Sequence, residues 1–106
     1  MNTQFKKGII ELCILKIVSQ KDMYGFEIID KLSDLLDVNE NTIYPILRRL
    51  TEQELFSLYT KESTIGAPRK YYTLTPKGKE MLETYIKEWE SFMENVMLIL
   101  KGDVDE

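Results

Sequence analysis

The chain has 106 residues, 43% of them hydrophobic and 30% charged, with a formal net charge of −4. That length fits one domain whose core is marginal alone, so assembly into an oligomer would add stability. The sequence has no histidine and one cysteine, Cys13, which excludes histidine acid–base catalysis, Ser-His-Asp triads, zinc clusters and an internal disulfide. Neither an enzyme, nor a metal, nor a cofactor is expected.

No apolar run reaches the roughly 18–20 residues of a membrane span; the densest, from Gly8 to Val18, is broken by Glu11 and Lys16. Lys6 and Lys7 precede it without a small-residue cleavage pattern, so no signal peptide is expected and the cytoplasm is the expected compartment. The first expected helix covers about Phe5 to Ser19. Its apolar residues, Ile10 and Ile14 among them, go nearly all the way round, as in a helix buried on more than one side. One side is assigned to its own domain and the other to a second subunit. Cys13 lies in this stretch as a core thiol.

Gln20-Lys21-Asp22 is a polar break. A second helix is expected from about Tyr24 to Leu36, with an apolar face of Phe26, Ile28, Ile29, Leu32, Leu35 and Leu36. Gly25 near its start suits either a close approach by another backbone or a turn. Asp37, Asn39 and Asn41 are alternative caps for a third helix reaching about Glu54. Ile43, Ile46, Leu47 and Leu50 form its inward stripe, leaving Thr42, Tyr44, Pro45, Arg48, Arg49 and Glu52 outward. Pro45 favours a late start, with the cap near Asn41, because proline is tolerated in a first turn and costly later.

Phe56–Thr60 and Lys70–Thr75 read as two strands joined by a turn-rich, partly basic tip, a β-hairpin. Thr75-Pro76 then opens a fourth helix, with threonine at the cap and proline at the first helical position. It is expected to reach about Leu100. Leu82, Tyr85, Trp89, Phe92, Val96 and Ile99 are spaced alternately three and four apart, a heptad seam. Met81, Ile86, Met93, Met97 and Leu100 widen it beyond what a three-helix core can cover.

Charge is divided along the chain. Residues 80–106 hold two lysines against eight carboxylates, whereas residues 48–79 hold seven basic side chains against three acidic ones. A nucleic-acid footprint depends on such a local patch, not on the overall charge.

Helix, helix, turn, helix, hairpin and long helix is the order of a winged helix-turn-helix followed by a dimerisation helix, mainly α with a small β-hairpin. The helix after the turn enters the major groove and the hairpin lies along the backbone. The expected DNA contacts are Asn41, Thr42, Tyr44, Arg48 and Arg49 from the helix and Lys61, Arg69 and Lys70 from the wing. The alternative is an ordinary solvated face. Ile10, Ile14, Leu82, Tyr85, Trp89, Phe92 and Val96 are the expected dimer contacts. Tyr85, Trp89, Phe92 and Met93 belong either to a plain hydrophobic seam or to a pocket for flat ligands. The expected division is a DNA-binding unit over 1–75, a dimerisation helix over 76–101 and a frayed acidic tail over 102–106. A winged-helix module that binds another protein, through the acidic C-terminal segment, is the rival reading.

Three segments carry a family resemblance: Gly8–Leu15 leading to Tyr24–Ile28, Asn41–Leu50, and Gly66–Gly78. With Trp89 they span nearly the whole chain. The sequence resembles the PadR-type transcriptional regulators, in particular the short subgroup with one C-terminal dimerisation helix. The resemblance implies a cytoplasmic homodimeric repressor, an operator of approximate two-fold symmetry and, in many members, a small planar aromatic effector. In multidrug-responsive members that the chain resembles, a tryptophan of the last helix faces a central cavity of the dimer. Members commonly carry glycine where this chain has Asn41, a good cap that tolerates left-handed geometry. They also commonly carry glycine near Glu54, so here the third helix must end on another residue.

Overall fold

A computed structural model describes residues 3–102. Four helices, α1 (Thr3–Gln20), α2 (Gly25–Leu36), α3 (Glu40–Glu52) and α4 (Pro76–Leu100), surround a sheet of β1 (Met23–Tyr24), β2 (Phe56–Lys61) and β3 (Arg69–Leu74). The acidic tail expected to fray lies, from 103 onward, outside the described residues.

The sheet order is β1-β3-β2, antiparallel throughout. Phe56 stands opposite Leu74 and Lys61 opposite Arg69, so the hairpin is longer at its tip than the two expected strands. β1 is absent from the sequence reading. Met23 and Tyr24 pair with Tyr72 and Tyr71, which covers the otherwise open edge of β3. Two residues are too few to show a strand period, and a polar break was all that was legible there.

The core is one cluster. Ile10, Ile14, Leu15 and Val18 of α1 meet Ile28 and Leu32 of α2, Ile43, Ile46, Leu47 and Leu50 of α3, Phe56 of β2 and Leu82 of α4. The inward stripe expected for α3 is the one observed. α1 begins earlier than expected, at Thr3, and α2 one residue later, with Tyr24 as its N-cap. Tyr24 N–H donates to the Glu27 carboxylate at 3.2 Å. Asp37 ends α2 at φ 52°, a left-handed position that aspartate tolerates better than most residues.

The start of α3 corrects the sequence reading. Asn39, not Asn41, is the cap: its side chain accepts the Asn41 N–H at 3.0 Å, and its carbonyl accepts from Thr42 and Ile43 at 3.1 and 3.2 Å. Pro45 therefore lies in the second turn. The missing proline N–H falls on the exposed side of the helix, where water can satisfy the orphaned carbonyl, so early capping outweighs the cost.

α3 ends in a complete Schellman arrangement. Glu54 N–H reaches the Thr51 carbonyl and Leu55 N–H the Leu50 carbonyl, both at 3.0 Å. Glu54 itself adopts φ 63°, the conformation glycine would favour. Beyond it, Thr75 ties three elements together. Its hydroxyl donates to the Glu54 carbonyl at 2.7 Å and accepts the Gly78 N–H at 2.9 Å, while its own N–H pairs with the Leu55 carbonyl at 3.0 Å.

The radius of gyration is 16.2 Å, against about 13 Å for a compact chain of some 100 residues. The excess comes from α4, about 37 Å long at 1.5 Å per residue. Its first half packs on the core through Leu82, with Met81, Tyr85 and Ile86 partly buried. Its second half leaves Phe92, Met97, Leu98, Ile99 and Leu100 exposed. No helix among the described residues is long and apolar enough to cross a membrane.

Candidate nucleic-acid interface

With one face of α3 set in the core, Asn41, Tyr44, Pro45, Arg48, Arg49 and Glu52 are exposed on the other and Thr42 is half-buried. Gly25 explains the lie of Tyr44. A β-carbon at Gly25 would stand 3.1 Å from the Tyr44 ring, so the close approach anticipated there is made by a side chain, not by a backbone. Tyr44 and Arg48 reach the hairpin. With Thr51, Glu52, Leu58 and Tyr72 they line a hollow of about 280 Å³ between α3 and the wing. Burial pushes the Tyr72 phenol up, Tyr44 adds to this and the Arg48 guanidinium opposes it, so the hydroxyl stays protonated and able to donate.

The pleat sorts the wing cations onto two faces, because side chains alternate along a strand. Lys70, Tyr72 and Leu74 share the face that carries Phe56 and Leu58, as the register requires. This is the face turned toward α3. Lys61 and Arg69 fall on the opposite face with Tyr59 and Tyr71. There, aromatic rings hold them: Lys61 Nζ lies 5.5 Å from the Tyr71 ring centre and the Arg69 guanidinium 4.6 Å from that of Tyr24. Tyr59 stacks on Tyr71 at 5.6 Å and Tyr24 meets Tyr71 at 5.5 Å. Tyr59 Oη donates to Asp22 at 2.8 Å, and this bond, more than desolvation, pushes its phenol up. Cations held over rings keep their charge with fewer rotamers to lose on binding.

Arg49 is placed differently from its neighbour. Its guanidinium is 2.7 Å from the Glu11 carboxylate of α1. Thus Arg48 faces the wing, while Arg49 turns back to the first helix.

The residues expected at a subunit interface also separate. Ile10, Ile14 and Leu82 are buried in the subunit's own core, which corrects their assignment: packing within one chain already consumes their side chains. Tyr85, Trp89 and Phe92 instead line a groove of about 610 Å³ with Gly8, Ile9, Glu11, Leu12 and Glu88. Met93 is not in that groove. It lines a second hollow, with Met97 and Leu98, and Trp89 borders both. Val96 is half-buried further along α4. Cys13 is half-buried, and desolvation pushes its thiol up, which keeps it in the less reactive protonated form. Among the described residues, no group of three or more His, Cys, Asp or Glu side chains is placed to hold a metal.

The sequence reading missed the site roles of Leu58, Tyr72 and Glu11. Strand alternation carried by the register would have found Leu58 and Tyr72. Glu11 had no local signal, since its partner is 38 residues away.

A helix-turn-helix whose third helix packs one face in the core and leaves the other free beside a three-stranded wing defines a winged-helix DNA-binding protein. Residues 14–84 match the transcriptional regulator PadR-like family, and the chain belongs to that family. It is a DNA-binding transcriptional regulator and not an enzyme. A PadR-like transcriptional regulator of Bacillus cereus is 40% identical, with a TM-score of 0.85 over 93% of this chain and 98% of that one. The protein smu.1704 of Streptococcus mutans is 36% identical, with a TM-score of 0.85 over 94% of this chain and 93% of that one. The transcriptional regulator YqjI of Escherichia coli is 31% identical over 96 residues, which are 87% of this chain but only 44% of YqjI.

Proposed function

We propose that the protein is a cytoplasmic homodimeric repressor that occupies an operator of approximate two-fold symmetry. The observation that carries this is the surface that Tyr44 and Arg48 of α3 share with Leu58 and Tyr72 of the wing, on the strand face that also carries Lys70. α3 lies in the major groove. There Arg48 meets phosphate or a guanine edge, and the apolar rings and Leu58 meet sugars and thymine methyls. Lys61, Arg69 and Lys70 grip phosphates from the hairpin. Residues 1–75 form the DNA-binding unit and 76–101 the dimerisation helix. A dimer that covers its operator represses by excluding the polymerase.

The α1–α4 groove is the proposed site of a small planar aromatic effector that releases the dimer from DNA. Tyr85, Trp89 and Phe92 offer rings for stacking. A salt-titrated shift assay with DNA upstream of the protein's own gene, followed by footprinting, tests the reading. Two protected half-sites centred about one helical turn, roughly 10 bp, apart are expected. One asymmetric half-site overturns the symmetric dimer. Retention with no sequence preference at moderate salt favours a winged-helix module that binds a protein instead.

A further inference from the structure

Arg48 and Arg49 are adjacent in sequence, equally basic and both exposed on α3, yet among the described residues only Arg49 has an ionic partner. The Arg49 guanidinium meets the Glu11 carboxylate at 2.7 Å. The arginine side chain is 43% exposed and the glutamate 19%. The carboxylate is the more deeply set of the two, on a helix whose neighbours Ile10, Ile14 and Leu15 are fixed in the core. Glu11 therefore stays in place, and Arg49 is the arm drawn toward it. Among the described residues this is the side-chain hydrogen bond that joins α1 to α3.

We infer that Glu11 is a positioning residue that withholds Arg49 from DNA phosphate, so that Arg48 alone supplies the arginine charge of the recognition helix to the backbone. This rests on the DNA-binding face proposed above and departs from the sequence expectation in one respect: Arg49 is a strut to α1, not a DNA contact. Its physical logic is discrimination. A phosphate contact adds affinity for every sequence alike. An arginine neutralised by its own protein lowers the sequence-independent share of binding and leaves base-edge contacts to decide. Glu11 also lines the α1–α4 groove, so the helix that carries the groove also sets the charge that α3 presents.

The test is the salt dependence of DNA binding by the full chain, measured by fluorescence anisotropy on one operator duplex and one unrelated duplex. Each phosphate contact contributes about 0.9 to the slope of log affinity against log salt. Arg49→Ala should leave the slope unchanged, whereas Arg48→Ala should flatten it by about one unit per recognition helix. Glu11→Gln keeps the shape of the side chain, removes its charge and frees Arg49. It should steepen the slope by about one unit per helix, an additional affinity loss of about tenfold for the two helices of a dimer between 50 and 200 mM salt. It should also tighten binding to the unrelated duplex at low salt. The double variant Glu11→Gln, Arg49→Ala should return to the parent slope, which a merely structural role for Glu11 would not produce.

A flatter slope for Arg49→Ala alone overturns the inference, as does an unchanged slope for Glu11→Gln in protein whose circular dichroism matches the parent. If Arg48→Ala also leaves the slope unmoved, the fault lies in the recognition face itself.

Discussion

Glu54 and Gly78 stand within one small junction, where α3 ends, β2 begins and α4 starts, and they make opposite use of a β-carbon. Glu54 holds φ 63°, where a β-carbon crowds the backbone. The Schellman bonds around it give its side chain no part in return. Relief of that strain is worth about 1–2 kcal/mol, and glycine's freer unfolded chain offsets about half. Glu54→Gly should therefore stabilise the protein by about 0.5–1 kcal/mol, a rise of a few degrees in melting temperature. Glu54→Ala, which keeps the β-carbon, should give no such gain; equal melting temperatures for the two variants would show that no strain resides there. Gly78 is the reverse case. A β-carbon there collides with the Leu55 carbonyl and the Leu74 side chain. Alanine's better helix propensity returns about 1 kcal/mol against overpacking that costs about 1–3. Gly78→Ala should lower the melting temperature in thermal denaturation, and an unchanged value would mean that the junction yields. The family resemblance pointed to the missing glycine near Glu54, and Glu54 is where the left-handed residue falls. The sequence said nothing of Gly78 beyond helix start chemistry, because the closest colliding atom is the Leu55 carbonyl, which is remote in sequence.

Helices and strands were legible in proportion to how far a single period ran. The stripe Ile43, Ile46, Leu47 and Leu50 repeats over two turns and fixed which side of α3 is free. Its first residue was not legible. Three capping residues, Asp37, Asn39 and Asn41, compete there, and the bias against an interior proline pointed to the wrong one. The wing was read as one basic hairpin. Register splits it, with Lys70 toward α3 and Lys61 and Arg69 over the rings of Tyr71 and Tyr24. The heptad seam of α4 likewise failed to say which of its members face their own subunit; Leu82 does, and Tyr85, Trp89 and Phe92 line the groove. Trp89 is the single tryptophan, so the groove carries its own reporter. Titration with a planar aromatic compound should quench that fluorescence saturably. Phe92→Ala should weaken the effect, because Phe92 lines the groove while remaining 59% exposed. Met93→Ala should leave it largely unaltered, since Met93 faces the second hollow. Saturating ligand without quenching would remove the effector site from Trp89.

At the scale of the molecule, the shape itself sets the last expectation. The extents of 62 × 28 × 20 Å describe a small core with a helical arm whose outer apolar side chains, Phe92 and Met97 to Leu100, stay exposed among the described residues. Phe92 is 59% and Ile99 64% exposed. Two such arms that bury each other remove this surface from water at about 25 cal/mol per Å², and the proposed dimer follows from that cost. Sedimentation should then give a species of twice 12.5 kDa at micromolar concentration. Folding coupled to association makes stability depend on concentration, so each tenfold dilution should cost about 1.4 kcal/mol per dimer and lower the melting temperature. Phe92→Asp with Ile99→Asp should yield a monomer whose melting temperature no longer varies with dilution. Because both side chains lie outside the subunit core, their loss cannot act by breaking it, as replacement of Ile14 or Leu82 would. A parent protein that sediments at 12.5 kDa, or a double variant that stays dimeric, would place the partner of α4 elsewhere.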